Sequence, residues 1–498
     1  MTVPLPRLIE RTFTSPFRLS PLVRIGGDVD AATELARLLA LRTGFDLVTG
    51  DTGAIDLRIA TGGAPESYTI AANADAIVVT GADAAGLFYG VQTVGQLAES
   101  DDDGWFVPAV QVDDAPRFAY RGVMLDVARH FHGPDTVKGY IDRAASLKFN
   151  HLHLHLTDDQ GWRLEMTSRP LLTEHASATA IGGDAGGFFT REQYRDIVAY
   201  AAARHMTVVP EIDLPGHTHA VGLAYPELVE DPVITDAVRD TVRDFGGDLP
   251  ARGVPYQGLA VGFSSLRIDS EATYDFVADV LGEVAASTPG PFVHIGGDEA
   301  LGTDPADYAT FIERVTEIVA ALDKTPVAWH EAGAAAGLHD ATIGQYWGFV
   351  TPQGDSGEKA RAFVRNGSQL ILSPADAAYL DMKPRPDYDI GLTWADGPTD
   401  LERAYAWEPL DVIAGIDESD VLGVEAALWT ETVRDARDVD RLAFPRAAAV
   451  AEIAWSPAAG PERTWESFRA RVGALAPLWS RFGIAFDRAA EIDGRDAP

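Results

Sequence analysis

Eight β-rich runs recur between residues 122 and 428, with segments of helical character between them: 122–127, 149–156, 206–212, 292–296, 327–331, 343–347, 370–373 and 422–428. That alternation is the pattern of parallel strands joined by crossover helices. The intervening helices show their period. Tyr194, Ile197, Val198 and Ala201 share one face, as do Tyr274, Val277, Leu281 and Val284. Thr190 followed by Gln193 fits a capping box at the start of the first of these. Eight such units in roughly 380 residues suit a closed (β/α)8 TIM barrel with long loops better than a doubly wound sheet. The long loops are expected at 214–267 and 373–402.

Ahead of the barrel, β-like runs at 56–60, 67–71 and 76–80 mix with helix signals at 30–41 and 84–97. This is the make-up of a small α+β accessory domain, residues 1–115, with the barrel domain spanning 116–498. The boundary falls at Asp113-Asp114-Ala115-Pro116, because proline disfavours helix in the residue before it.

Charge narrows the function. Asp and Glu number 75 against 40 Lys and Arg, a formal charge of −35. A nucleic-acid binder needs the opposite sign, and an anionic membrane surface would repel this chain. With no cysteine, disulfides, thiolate zinc sites and cysteine nucleophiles are all excluded. The first residues carry no apolar run of signal-peptide type and no stretch approaches a membrane span, so the expected location is cytoplasmic, or secreted if a leader was removed.

In a barrel, chemistry collects where strands end and the following loops begin. The segment His294-Ile295-Gly296-Gly297-Asp298-Glu299 puts two adjacent carboxylates at such an end, where each raises the other's proton affinity and one can serve as a general acid. The plain alternative is a Gly-Gly turn leading into an acidic helix N-terminus. Neighbours on an extended chain point to opposite sides, which suits neither of the two-carboxylate spacings of ordinary glycosidases. Sugar chemistry here would need another nucleophile.

His151, His153 and His155 alternate with Leu152, Leu154 and Leu156, placing three imidazoles on one face. This keeps a metal-dependent hydrolase open as a rival. In Glu211-Ile212-Asp213-Leu214-Pro215-Gly216-His217, either Asp213 or Asp158 could hold His217 in one tautomer. Trp329, Trp347, Trp394 and Trp429 lie at or near strand ends, where indole faces can wall a carbohydrate pocket. Tyr379, Asp381 and Glu431 add polar groups nearby.

Together these segments resemble glycoside hydrolase family 20, the β-N-acetylhexosaminidases. The resemblance rests on Tyr120-Arg121-Gly122 with Leu125-Asp126, on Asp158-Asp159-Gln160-Gly161-Trp162-Arg163, on Pro215-Gly216-His217, on Gly296-Gly297-Asp298-Glu299 and on Leu428-Trp429-Thr430-Glu431, all in family order. Residues 86–93 look like the helix of the family's N-terminal domain. The resemblance implies an exo-acting retaining hydrolase of terminal GlcNAc, with GalNAc as the alternative sugar. It implies no metal or organic cofactor, and a monomer or homodimer. It also supplies the nucleophile, the acetamido oxygen of the substrate itself.

By the same resemblance Glu299 is the acid and base, Asp298 binds the acetamido N–H and Tyr379 donates to the acetamido oxygen. Asp158 and His217 support Glu299. Trp329, Trp347 and Trp429 enclose the sugar, Trp394 lines the rim, and Arg121, Asp381 and Glu431 hold ring hydroxyls. The chain departs from the family at His330, where an acid is commoner, and at Lys383-Pro384, both expected near the pocket rim.

Overall fold

The computed structural model describes residues 1–12 and 14–488; residues 489–498 of the expected barrel domain lie outside them. Near the N-terminus a seven-stranded mixed sheet runs in the order Leu8–Arg11, Val110–Asp114, Tyr68–Ala72, Ile77–Gly81, Ile55–Ile59, Arg24–Gly27 and Val48–Gly50. Its strands bury alternate residues, such as Tyr68, Ile70 and Ala72, as a sheet covered on one face should.

Helix α1 (Val29–Thr43) is capped by the Asp28 carboxylate and ends at Gly44, whose φ of 78° no β-branched residue would tolerate. Helix α2 (Ala84–Leu97) begins at the Asp83 cap and is buried continuously from Gly86 to Leu97. It is apolar all round because it has neighbours all round. On the sheet side a side chain at Gly90 would meet Val79 at 2.6 Å. On the other, Tyr89 packs edge-on against Trp455 with ring centres 5.2 Å apart.

The remainder is a closed parallel barrel of eight strands: β1 (Tyr120–Asp126), β2 (His151–His155), β3 (Thr207–Glu211), β4 (Phe292–His294), β5 (Thr325–Trp329), β6 (Ile343–Tyr346), β7 (Leu370–Leu372) and β8 (Val421–Leu428). Pairing of β1 with β8 closes it. The expected (β/α)8 architecture and all eight strand positions are therefore present. The Thr190–Gln193 capping box is formed at helix Arg191–Ala202.

Two expectations need correction. The stretch 214–267 is not plain loop, since it contains helices His219–Ala224 and Asp236–Phe245. The second carries Val238, Val242 and Phe245 at helical spacing but buries only Val238, so it lies on the surface, anchored by a small cluster with Tyr256 and Phe263. And β4 stops at His294, short of residue 296, because Gly296 and Gly297 turn the chain with φ of 68° and 101°.

The barrel interior is layered. Tyr120, Val209, Val327, Ile343 and Ile371 fill the end where strands begin. A charged layer of His153, Glu211, His294 and Glu425 lies above it, fully buried. Met124, Trp329, Ala427 and Trp429 cluster at the end where strands finish.

Candidate active site

The acid pair sits on the turn that ends β4. A side chain at Gly296 would fall 1.7 Å from Asp213 Oδ1, so glycine is required there by close approach as well as by its positive φ. Asp213 in turn accepts the Gly297 N–H at 3.1 Å, and the Tyr308 hydroxyl donates to the Gly297 carbonyl at 2.6 Å. Glu299 itself has φ 47°, so the pair does not lie on extended chain as the sequence suggested. Nor does it open a helix: the next one begins at Pro305 behind its own Asp304 cap.

His217 lies between the pair and a second acid. Its Nε2 is 3.4 Å from Glu299 and 3.7 Å from Asp298, while its Nδ1 is 3.2 Å from Asp158 Oδ1. Of the two aspartates that sequence offered as its partner, Asp158 is the one in contact. Burial opposes charging His217, but Asp158, Asp213 and Asp298 outweigh it and raise its pKa well above normal. Burial also pushes Asp298 up to about 6, against the pull of His217 and with the repulsion of Glu299.

Aromatic rings wall the space above this group. Trp329 and Trp429 have centroids 6.0 Å apart, and Tyr379 stands 6.1 Å from Trp429 and 5.9 Å from Trp394. Trp347 meets Trp394 edge-on at 6.0 Å and donates its indole N–H to Glu331 at about 3.0 Å. Trp329 is fully buried whereas Trp394 is 48% exposed, which makes Trp394 the rim. Burial, then the charge of Asp298, pushes Glu331 up to about 8.

At the other side lie Asp381 and Glu431. Both oxygens of Asp381 and one of Glu431 are buried without a hydrogen-bond partner, as is Oδ1 of Asp298. Burial and the charge of Glu431 raise Asp381 well above a normal aspartate, and burial with the charges of Asp126 and Asp158 brings Glu431 to about 7 despite Arg129. Buried carboxylate oxygens without donors are costly, each about 1–3 kcal/mol or more, and a ligand bearing several O–H and N–H groups would relieve that cost.

Arg121 is not in this pocket. It opens β1 at the far end of the barrel, where its guanidinium pairs with Glu66 of the N-terminal sheet region at 2.8 Å and bonds the Tyr89 hydroxyl and the Lys148 carbonyl. The physical reason is position: a residue at the start of a barrel strand faces away from the end where the loops carry chemistry.

The arginine that does reach the site is Arg129, just beyond the end of β1. It lies 2.7 Å from Asp158, 3.7 Å from Asp126 and over the Trp429 ring at 4.6 Å. The strand-end rule applied to β1 would have found it. His330 also departs from expectation. It is buried behind Trp347, with ring centres 5.5 Å apart, and does not face the rim.

The three imidazoles of β2 do share one face: His151 bonds Asn150 and stacks on Tyr120 at 4.0 Å, while the other two meet carboxylates. His153 lies between Glu425 and Glu211 at 2.9 and 3.0 Å, and His155 between Glu211 and Asp158 at 2.6 and 2.9 Å. His153, Glu211 and His294 bring donor atoms within 4.8 Å of one another, as do Asp213, His217 and Asp298. In each of them one imidazole, His153 or His217, has its pKa raised by the carboxylates it faces, and burial lowers that of His294. Among the described residues no helix is long and apolar enough to cross a membrane.

Comparison with known proteins follows the same geometry. The family model for the catalytic domain of glycosyl hydrolase family 20 matches residues 118–458, and that for domain 2 of the same family matches residues 1–115. A beta-N-acetylhexosaminidase of Cellulomonas fimi is 38% identical, covering 98% of this chain and 96% of its own. A solved glycoside hydrolase family 20 beta-N-acetylglucosaminidase superposes with a TM-score of 0.93 at 60% identity, covering 98% of both chains. A mutant Streptomyces plicatus beta-hexosaminidase, solved in complex with the product GlcNAc, has a TM-score of 0.88 at 41% identity over 98% of this chain and 96% of its own.

Proposed function

The chain belongs to glycosyl hydrolase family 20 and is a glycoside hydrolase of the β-N-acetylhexosaminidase type; from that premise we propose that it removes terminal β-linked GlcNAc, and GalNAc as the alternative sugar, with retention and by substrate assistance. One observation carries the reading: Asp298 beside Glu299, with His217 bridging from the pair to Asp158, at the side of a pocket lined by Trp329, Trp347, Trp429 and Tyr379.

In the first step the acetamido carbonyl oxygen of the bound sugar attacks C1 as the bond from C1 to the leaving oxygen breaks. Glu299 gives its proton to that oxygen. The product of this step is an oxazoline-type ring, and Asp298, accepting from the acetamido N–H, aligns the group and balances the positive charge that develops on it. Tyr379 donates to the acetamido oxygen. Glu299, now a carboxylate, takes a proton from water as that water attacks C1. The ring opens, the acetamide is restored and the β configuration is retained.

The remaining groups select the sugar. Trp329, Trp347 and Trp429 pack against its apolar faces, while Trp394 lines the mouth. Asp381 and Glu431, with unpartnered buried oxygens, accept from ring hydroxyls, and Arg129 donates beside them. A pocket closed by these groups admits only a chain end, which supports exo action.

The test is a panel of aryl β-glycosides of GlcNAc, GalNAc and glucose. Turnover is expected on the amide sugars and not on glucose. Asp298→Asn should lower kcat by about 10²-fold, the scale of one charge-stabilising group, and weaken binding of a thiazoline analogue of the intermediate. Comparable activity on the glucoside, or an Asn variant with unaltered turnover and inhibition, would refute the acetamide mechanism.

A further inference from the structure

Glu211 ends β3 beneath the pocket and is fully buried. Its two oxygens face different structures. Oε1 accepts the Trp329 indole N–H at 2.9 Å and lies 3.2 Å from His294. Oε2 is 2.6 Å from His155 Nδ1 and 3.0 Å from His153 Nε2. From His155 the contacts run on: Nε2 to Asp158 at 2.9 Å, Asp158 to His217 at 3.2 Å, His217 to Glu299 at 3.4 Å. One carboxylate thus touches the pocket floor with one oxygen and begins a row of alternating charges, ending at the acid, with the other.

We propose that Glu211 is a positioning residue for the hydrolysis, holding Trp329 under the sugar and orienting the His155–Asp158–His217 row that supports Glu299. The inference rests on the reading of Glu299 as proton donor and Trp329 as pocket floor.

A carboxylate is needed in this place because imidazoles from two strands, β2 and β4, converge on it. Burial alone would raise its pKa, yet His155, His294 and His153 hold it well below normal. His155 in return is raised to about 9 against its burial, chiefly by Glu211. An amide at position 211 can still accept the indole N–H with its oxygen and donate to His155 Nδ1 with its nitrogen. His155 then remains neutral. The pair of charges nearest Asp158 on this side vanishes, and the lost positive member is the closer to the acids.

His153, 3.0 Å from the same oxygen, loses part of the pull that keeps it charged, which acts in the same direction, and His294 faces Glu211 with its pKa lowered by burial; the other charged groups around the row are unchanged by the substitution. They are Glu425 behind His153, Arg129 and Asp159 beside Asp158, Asp213 and Asp298 beside His217, and Glu331 beside Asp298. The potential at the acid pair therefore becomes more negative, and the proton of the acid is held more firmly.

Glu211→Gln is measured on an aryl β-GlcNAc with a poor leaving group. The expected result is a fall of about 10-fold or more in kcat/KM, in keeping with misplacement of reacting groups, with the basic limb of its pH profile displaced upward by about half a unit. A purely structural role would lower activity and leave the limb where it was, so a superimposable profile overturns the proposal. If Glu211→Gln fails to fold, His155→Gln, which can still donate to Asp158 but carries no charge, should show the same upward displacement. An unmoved limb there overturns it equally. Glu299→Gln separates the two readings: a basic limb that persists in that variant refutes the assignment of Glu299 itself, whatever Glu211→Gln shows.

Discussion

Two adjacent carboxylates become different chemical agents here because their surroundings differ. Asp298 is buried against His217 and the turn of β4, while the Glu299 side chain is about a third exposed at the pocket mouth, where a leaving group and then a water can reach it. The sequence marks both residues, since Gly-Gly before two acids at a strand end has few structural explanations. It misjudges their geometry, because nothing in Gly296-Gly297 alone reveals that Asp213 occupies the space of the missing side chain. Glu299→Gln should cost about 10²–10³-fold on substrates with poor leaving groups, the range of general acid catalysis, and less than about 10-fold on activated aryl glycosides. Paired measurements of kcat/KM on the two substrate kinds check this; equal losses would contradict the role.

At the scale of elements, β1 carries an arginine near each end, and they serve different ends of the barrel. A seven-residue strand rises about 20 Å, so Arg121 and Arg129 cannot share a site. Arg129→Lys keeps the charge but loses the planar fork that reaches Asp158, Asp126 and the Trp429 face. It should raise KM for aryl β-GlcNAc about 10-fold, the value of roughly one good hydrogen bond to a charge. Arg121→Met should leave KM and kcat within about twofold but destabilise the protein by about 3 kcal/mol, the lower range for breaking a buried pair, because Glu66 keeps some access to water. Steady-state kinetics and calorimetry on both variants decide it, and a catalytic defect in Arg121→Met would return that residue to the pocket. The same contrast explains what the sequence shows about elements. Helix 84–97 and the eight strands are legible because burial on every side demands nearly unbroken apolar or β-rich runs bounded by turn residues. Helix Asp236–Phe245 is less so, because its apolar positions Val238, Val242 and Phe245 are few among charged residues and only the first is buried.

For the whole molecule, the buried charges set how stability depends on pH. Asp298, Glu431 and Glu331 have folded values near 6, 7 and 8, all above their unfolded ones, so from pH 4 to 8 the unfolded chain releases protons first and stability falls as pH rises. His155 and His153, raised to about 9 and 10, hold protons that the unfolded chain has lost above pH 6.5, and add to the fall until those values are passed. Asp158 and Glu211, held low, act oppositely, their contribution being present above pH 4–5 and lost in acid; so do His151, His330 and His132, lowered by burial to about 3, 3 and 4, which the unfolded chain protonates below pH 6.5. A formal charge of −35 adds self-repulsion as pH rises. The two sets offset one another up to about pH 6.5, so the melting temperature should change little between pH 5 and 6.5 and decline from there towards pH 9. Scanning calorimetry across that range tests this, and a flat or rising trend between pH 6.5 and 9 would disprove it.

By itself the sequence determined the periodicities and therefore the barrel, the N-terminal sheet and helices, and the strand-end positions of Asp298, Glu299 and the tryptophans. These are local properties, written in spacing along the chain. Only the tertiary structure decided which partner each polar residue meets. His155 finds Glu211 across 56 residues, and His153 finds Glu425 across 272. Arg121 goes to Glu66 because the N-terminal sheet region packs on that end of the barrel, and Arg129 to Asp158 because neighbouring barrel strands bring their ends together. Pairing between distant residues is fixed by how the strands close around a common axis, and no local spacing encodes that arrangement.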